Sequence, residues 1–149
     1  MQKLNFPGYQ FRFQQQGKQV RIFDIVRKKY VTLTPEEWVR QHVLHFLIGE
    51  KQVPAGLIGV ESEIRLFHTR KRFDVAVFDH SGKAVLAIEC KAPSIPVTQE
   101  VVDQLVRYNM ILKVKFLMLT NGLTHLFCKV DQVSGNIKII EDLPDYSNL

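Results

Sequence analysis

The fold is decided by the stretch from Arg72 to Lys91, which reads RFDVAVFDHSGKAVLAIECK. Two apolar runs, 73–78 and 84–90, flank the turn-forming residues 79–82, and this pattern predicts a β-hairpin. The second run is apolar on both faces, which is typical of a strand in the centre of a sheet that is covered on both sides.

Helical and strand patterns continue on both sides of this hairpin. Thr34, Pro35 and Glu37 have the order of a helix N-terminus with a capping box, which predicts a helix to about Ile48. Thr98 caps a second predicted helix that runs to about Leu112. Further strands are expected over 57–66, 116–119 and 126–130, with a hairpin-type turn at Asn121-Gly122. The order predicts an α/β fold in which a mixed β-sheet is flanked by helices.

The N-terminal segment has a separate pattern. Phe11 and Phe13 alternate before residues 14–17, and Val20 and Ile22 resume the alternation, which predicts an N-terminal β-hairpin. The 149 residues are the length of one domain, since domains have roughly 100–200 residues. We therefore expect a single domain with an N-terminal hairpin extension (1–33), a core (34–130) and a C-terminal strand and tail (131–149).

The composition favours a globular chain with a basic N-terminal end. Hydrophobic residues make up 46% and charged residues 23%, which excludes a disordered or collagen-like chain. The formal net charge is +5, and residues 1–30 hold seven bases and one acid, so a polyanionic partner is expected. The two cysteines have no metal-type spacing, and no apolar run is long enough to span a membrane. These features predict a cytoplasmic protein without a membrane partner.

Two carboxylates and a lysine gather at the ends of the hairpin strands. If Asp79 faces Gly82, Asp74 lies opposite Ala87, and Glu89 is its diagonal neighbour at about 7–8 Å. Alternation places Glu89 and Lys91 on one face and Cys90 on the other. Paired carboxylates with room for waters suit Mg²⁺ (or Mn²⁺), beside which Lys91 could position or deprotonate a water. A surface ion pair between Glu89 and Lys91 is the alternative.

Other residues could complete such a site. Gln104 and Tyr108 are four apart and share one face of the second helix. Basic residues would neutralise the phosphates of a nucleic acid, although those before Asp74 equally fit a solvated loop. These bases are Arg70, Lys71 and Arg72, with Arg107 on the second helix. The candidates for a third carboxylate are Glu61, Glu63, Glu36 and Glu37, of which Glu37 fits its capping role better.

These residues together resemble a known family. Asp74 followed by Glu89-Cys90-Lys91 is similar to the D…(D/E)-x-K core of the PD-(D/E)XK nuclease superfamily, and residues 104–108 are similar to its Q-x-x-x-Y element. More closely, the chain resembles the stand-alone type I restriction enzyme R protein N-terminal domain proteins. The stretches that carry this second resemblance are 35–41, 60–61, 72–74, 89–93 and 120–122, within roughly 34–127.

The resemblance implies a fold, an activity and roles for the site residues. The fold would be restriction-endonuclease-like, with 34–130 as the nuclease core, and the activity would be hydrolysis of DNA. Asp74, Glu89 and the backbone carbonyl of Cys90 would bind the metal, completed by Glu61 or by a glutamate of the first helix. Lys91 would serve the water, and Gln104 and Tyr108 would orient the lysine or contact DNA.

The chain departs from the R subunits in one respect. Those proteins join this domain to an ATP-driven motor, whereas Gly82-Lys83-Ala84 lacks the upstream glycine and the hydroxyl residue of a P-loop. Activity is therefore expected to be independent of ATP or to use the motor of a partner.

Two classes of function follow. The first is a metal-dependent deoxyribonuclease, and the second is a catalytically inactive nucleic-acid-binding module or a subunit of a restriction or repair complex. DNA is the expected partner in both. A second copy of the chain and a separate helicase or methylase are further candidates.

Overall fold

A computed structural model describes residues 1–66 and 68–149 of the chain. Over these residues the chain forms nine strands and two α-helices. The elements in chain order are β1 (Phe13–Gln16), β2 (Gln19–Asp24), β3 (Lys29–Thr32), α1 (Pro35–Gly49), β4 (Ile58–Leu66), β5 (Thr69–Phe78), β6 (Ala84–Cys90), α2 (Gln99–Leu112), β7 (Phe116–Thr120), β8 (His125–Val130) and β9 (Ile137–Ile140).

A six-stranded sheet in the order β4-β5-β6-β7-β8-β9 forms the centre of the domain. Its strands pair antiparallel, except β6 and β7, which are parallel. A parallel pair needs a crossover connection, and α2 supplies it. The largely apolar strands β6 and β7 lie in the middle, as expected for strands that are covered on both faces.

The two helices cover opposite faces of this sheet. Thr34 Oγ1 accepts a hydrogen bond from the backbone N–H of Glu37 at 3.0 Å, which caps α1 as predicted. One core joins α1 residues such as Val43 and Leu47 to Ile88 of β6, and the other joins Leu105 of α2 to Ala87. The predicted α/β class, with a mixed sheet flanked by helices and an N-terminal hairpin, is confirmed.

The N-terminal hairpin is part of a three-stranded antiparallel sheet, β1-β2-β3. Its tight turn lies at Gly17, where φ is +59°, a conformation that glycine adopts without a steric penalty. The third strand, β3, was not predicted from the sequence. It is only four residues long and alternates too briefly to give a periodic signal.

The predicted register of the β5–β6 hairpin is wrong by two residues. Val75 pairs with Ile88 and Ala76 with Ala87, so continuing the ladder places Asp74 opposite Glu89 rather than opposite Ala87. Two features cause the shift. The backbone N–H of Asp79 bonds to the carbonyl of Lys83 at 2.8 Å, which lengthens the turn, and the register shifts again between Val77 and Phe78.

The alternation of β5 breaks at Asp74. Val75 and Val77 pack in the core beneath α1, whereas Phe73 packs in the core beneath α2. In a regular strand these three residues would share one face. The break coincides with Glu61 on β4, which lies between the pairs Val60–Val75 and Ser62–Phe73 and has a φ of +53°.

In the part of the chain that the structure describes, no helix is long and apolar enough to cross a membrane.

Candidate functional site

A cavity of about 90 Å³ opens between the end of the β5–β6 hairpin and α2. Glu89 and Lys91 reach it from the end of β6, and Gln104 and Tyr108 reach it from α2. The alternation predicted for Glu89-Cys90-Lys91 accounts for this, since Cys90 is buried in the opposite core. The remaining lining residues are Lys71, Val101, Leu105 and Leu119.

Glu89 is a buried carboxylate in this cavity, with 16% of its side chain exposed. Its ion-pair partner is Lys71, whose Nζ lies 3.2 Å from Glu89 Oε1, and not Lys91 as the alternative had it. The Oε1 atom is buried and accepts no well-formed hydrogen bond. Burial, and next the negative charge of Asp74, raise the pKa of Glu89 to about 7, and the positive charges of Lys71 and Lys91 act in the opposite direction.

Asp74 uses both of its carboxylate oxygens. Oδ2 accepts a hydrogen bond from the backbone N–H of Cys90 at 2.7 Å, which fastens Asp74 to the end of β6. Oδ1 accepts one from Arg40 Nη2 at 3.1 Å. Asp74 and Glu89 are thus brought together by neighbouring strands, and each has a cation of the protein beside it.

Arg40 is a residue of this site that sequence reasoning missed. Only 8% of its side chain is exposed, and it lies among four carboxylates. The signal was present, since Glu36 and Glu37 precede Arg40 at helical spacing within an otherwise buried helix. Beyond Asp74, its ion pairs are with Glu37 at 3.0 Å, Glu36 at 3.2 Å and Glu61 at 3.9 Å.

A buried layer behind Arg40 ties the N-terminal sheet to α1. Arg27 pairs with Asp24 at 2.8 Å and with Glu37 at 3.1 Å, and Gln41 Nε2 donates to both carboxylates. Burial alone would raise the pKa of Asp24, but the hydrogen bonds from Arg27 and Gln41 lower it below its ordinary value. Asp24 is the one acid among the first 30 residues, which is the signal that could have identified it.

The candidates for a third carboxylate occupy different positions. Glu61 lies opposite Asp74 and pairs with Arg72 at 3.0 Å, so it borders the site. Glu36 is also near, and burial together with the charge of Asp74 raises its pKa. Glu37 is committed to Arg27 and Arg40, and Glu63 pairs with Arg65 and Arg70 at a more exposed position.

The basic residues predicted to contact phosphates do not form one group. Lys71 enters the cavity, where its Nζ lies 5.1 Å from the centre of the Tyr108 ring and 5.3 Å from that of Phe73. Arg70 and Arg72 are exposed beside Glu63 and Glu61. Arg107 is exposed on α2 and is not among the residues that line the cavity.

The donor atoms present suit a hard divalent cation. Asp74 and Glu89 offer carboxylate oxygens on adjacent strands, and the buried Glu89 Oε1 lies 3.2 Å from Lys71 Nζ, which a metal ion would have to displace. Oxygen donors of this kind are the ligands that Mg²⁺ and Mn²⁺ prefer. Among the described residues, no three acidic, histidine or cysteine side chains converge as a complete metal site, so waters or a substrate phosphate would have to supply further ligands.

Comparisons with known proteins agree with the fold and extend over most of the chain. The family model described as "Type I restriction enzyme R protein N terminus (HSDR_N)" matches residues 35–144. A solved fragment assigned as an HsdR subunit of a type I restriction enzyme from Vibrio vulnificus YJ016 is similar in fold, with a TM-score of 0.51 and 21% identity. The match covers 76% of this chain and 24% of that chain, so this chain corresponds to about a quarter of it. No curated protein matches.

Proposed function

Because the chain belongs to the type I restriction enzyme R protein N-terminal family, we propose that it is a metal-dependent deoxyribonuclease of the PD-(D/E)XK type. The observation that carries this proposal is the cavity in which Glu89, Lys91, Gln104 and Tyr108 meet beside Asp74. A carboxylate pair, a lysine and two hydrogen-bonding side chains around one cavity are the groups that hydrolysis of a phosphodiester requires.

Asp74 and Glu89 would hold Mg²⁺ or Mn²⁺, with the backbone carbonyl of Cys90 and Glu61 as further ligands. Such a metal supplies a Lewis acid for the phosphoryl group and lowers the pKa of a bound water. Lys91 would hold the attacking water and offset the negative charge that develops on the phosphate. Its own position is fixed because its backbone N–H bonds to the carbonyl of Thr120 at 2.8 Å.

The α2 residues would orient this reaction. Gln104 can donate and accept hydrogen bonds, and the hydroxyl of Tyr108 can do the same. Both residues line the same cavity as Lys91. Arg70, Arg72 and Arg107, which are exposed, would contact phosphates of the DNA backbone.

A second function is favoured by one specific observation. Both carboxylates already have a cation of the protein beside them, Arg40 at Asp74 and Lys71 at Glu89. If these ion pairs persist, the domain binds nucleic acid without cutting it. It would then serve as a binding module or as a subunit of a restriction complex.

Membership of the family also suggests the setting in which the chain acts. We propose that DNA is the substrate and that a separate helicase or methylase is a candidate partner. A homodimer would bring two sites together, so that both strands of a duplex could be cut.

The test is a cleavage assay on plasmid and single-stranded DNA with Mg²⁺ or Mn²⁺. Wild-type protein should cut, and Lys91→Ala should lose about 100-fold or more of the rate, the scale observed when a charge-stabilising group is removed. Lys83→Ala removes the same charge from the exposed hairpin turn and should cut at the wild-type rate. If wild type and Lys91→Ala cut DNA only at the same background rate, the nuclease proposal is rejected. Metal-independent DNA binding without cleavage would select the binding module.

A further inference from the structure

The solvent-facing side of the N-terminal sheet carries aromatic and basic side chains that the proposed nuclease site does not use. Ile22 and Asp24 on β2 are fully buried, so their side of the sheet faces the core. The alternate residues Arg21 and Phe23 therefore face outward. Across the strands, Phe23 lies opposite Tyr30 on β3, and Arg21 lies opposite Gln14 on β1. We call this side the outer face.

Three side chains form a row across the outer face. The guanidinium carbon of Arg12 lies 3.8 Å from the centre of the Phe23 ring, which is a cation–π contact. Phe23 in turn meets Tyr30 edge to face, with ring centres 5.2 Å apart. Both rings are half-buried, so part of each remains open to solvent. The row is a surface on which unpaired bases could stack.

The neighbouring row offers hydrogen-bonding groups. Arg21 donates to Gln16 Oε1 at 3.1 Å and to the carbonyl of Tyr30 at 2.8 Å, so its guanidinium is tied to both neighbouring strands. Gln14 and Gln19 are exposed on the same side. Amide and guanidinium groups beside aromatic rings can bond to the edges of bases that are not paired.

The charge of this segment suits a polyanion. Asp24, the one acid among residues 1–30, is fully buried and bound to Arg27, so the exposed charges of the segment are all positive. Lys18, Lys28 and Lys29 are exposed at the two ends of the sheet. A strand of nucleic acid crossing the outer face would therefore meet cations along its path.

The β2–β3 loop connects this face to the candidate active site. Arg27 in that loop pairs with Glu37 at 3.1 Å and approaches Glu61 at 3.9 Å, and its neighbours Lys28 and Lys29 are exposed. The family match covers residues 35–144, so the N-terminal sheet lies outside the matched residues. The basic β2–β3 loop of this sheet adjoins the site.

We propose that the outer face binds single-stranded DNA, with bases stacked on Tyr30 and on the Arg12 guanidinium that lies over Phe23, and with phosphates on the lysines of the segment. This inference rests on the proposed function in one respect, because the bound strand would lead towards the Asp74–Glu89 site. Single strands are favoured over duplex because rings on a sheet can stack only with bases that are free of a partner strand.

The test is fluorescence anisotropy with a labelled 20-nucleotide oligothymidylate in EDTA, so that binding is measured apart from cleavage. Phe23→Leu and Tyr30→Leu keep the apolar bulk and remove the ring, and each should weaken binding roughly tenfold. Arg12→Gln removes a charge at an exposed position, and we expect binding about threefold weaker. Lys138→Gln removes the same charge from the exposed part of β9 in the other sheet and should bind like wild type.

The outcomes separate this inference from the nuclease proposal. If Phe23→Leu and Tyr30→Leu weaken binding and the wild-type protein does not cleave DNA, the nuclease proposal is rejected and this inference stands. Cleavage together with binding that is unaffected by Phe23→Leu, Tyr30→Leu and Arg12→Gln rejects this inference alone. Duplex bound as tightly as the single strand, or an oligouridylate bound more tightly than the oligothymidylate, would also overturn the assignment to single-stranded DNA.

Discussion

Arg40 Nη2 lies 3.1 Å from Asp74 Oδ1, and this contact joins the first helix to the second strand of the central sheet across 34 residues of sequence. The same guanidinium contacts Glu37 at 3.0 Å. Burial tends to lower the pKa of Arg40, but the charges of Glu37 and Asp74 raise it overall, so the guanidinium remains charged. A buried cation therefore holds the candidate catalytic aspartate in place.

Removing the Arg40 side chain should lower the free energy of unfolding. Arg40→Ala leaves Asp74 without its cation and leaves Glu37 with Arg27 alone, and breaking a buried ion pair of this kind costs about 3–5 kcal/mol. Urea denaturation measures the change in the free energy of unfolding. Arg65→Ala is the control, because Arg65 is 67% exposed beside Glu63, and its loss should cost about 1 kcal/mol or less. Equal effects of the two substitutions would contradict the role assigned to Arg40.

The stability of the protein should depend on pH through Glu89. Its pKa in the folded protein is about 7, above the ordinary value of 4.5, because of burial and the charge of Asp74. The folded state therefore binds the proton more tightly than the unfolded state. The stability from this group is fully present below about pH 4.5 and is lost as the pH rises through about 7.

Glu89→Gln isolates this effect. We expect the variant to gain stability relative to wild type between pH 5 and pH 8, by on the order of 2–3 kcal/mol. Urea denaturation of both proteins across this range gives the difference. Glu63→Gln, which removes the charge of a more exposed ion pair, controls for loss of a carboxylate alone. A constant difference between wild type and Glu89→Gln would show that Glu89 does not titrate in this range.

Gln104 should affect cleavage but not folding. Its side chain is exposed at the cavity, so Gln104→Ala removes a hydrogen-bonding group without opening the core. We expect the cleavage rate to fall about 10- to 100-fold, with the free energy of unfolding within about 0.5 kcal/mol of wild type. Gln99→Ala lies on the same helix, where Gln99 bonds to Asp103, and serves as the control. If Gln104→Ala and Gln99→Ala cleave at the same rate, the role proposed for Gln104 in cleavage is contradicted.

Gly122 should tolerate no side chain. Its φ is +87°, and an added Cβ would lie 2.8 Å from Leu4 Cδ2 and 3.1 Å from Val39 Cγ2, both in the core. Gly135→Ala is a matched control, because its φ is +76° but no atom lies within 4 Å of the added Cβ. Both variants have backbone strain of about 1–3 kcal/mol, so a greater loss of stability in Gly122→Ala measures the steric clash. Equal melting temperatures would contradict the close packing at Gly122.

The central part of the fold could be predicted because its signals are local. The apolar runs on either side of residues 79–82 indicate two adjacent strands, and Thr34-Pro35-Glu36-Glu37 indicates the start of a helix. The register could not be predicted, because the turn is longer than assumed and the bulge at Val77–Phe78 leaves no mark in the residue pattern. That two-residue shift moves Glu89 from a diagonal to a directly opposite position relative to Asp74.

The strand and helix residues of the candidate site could be predicted from the sequence. The cations that lie beside its carboxylates could not. Glu89, Lys91, Gln104 and Tyr108 follow from alternation and helical spacing, and they line one cavity. The placement of Arg40 beside Asp74, and of Lys71 beside Glu89, depends on how α1 and the extended start of β5 pack in three dimensions. Contacts between residues so distant in sequence cannot be inferred from spacing. The roles proposed for all of these residues stay predictions until they are measured.

The most direct test of the proposed site is an anomalous-diffraction map of a crystal soaked in MnCl₂. We predict a peak between the carboxylates of Asp74 and Glu89, with Lys71 Nζ moved away from Glu89 Oε1. A parallel Glu89→Gln crystal should show a weaker peak or none. A map without a peak at this position, in which Arg40 and Lys71 keep their ion pairs, would contradict the metal-dependent site and leave the domain as a binding module.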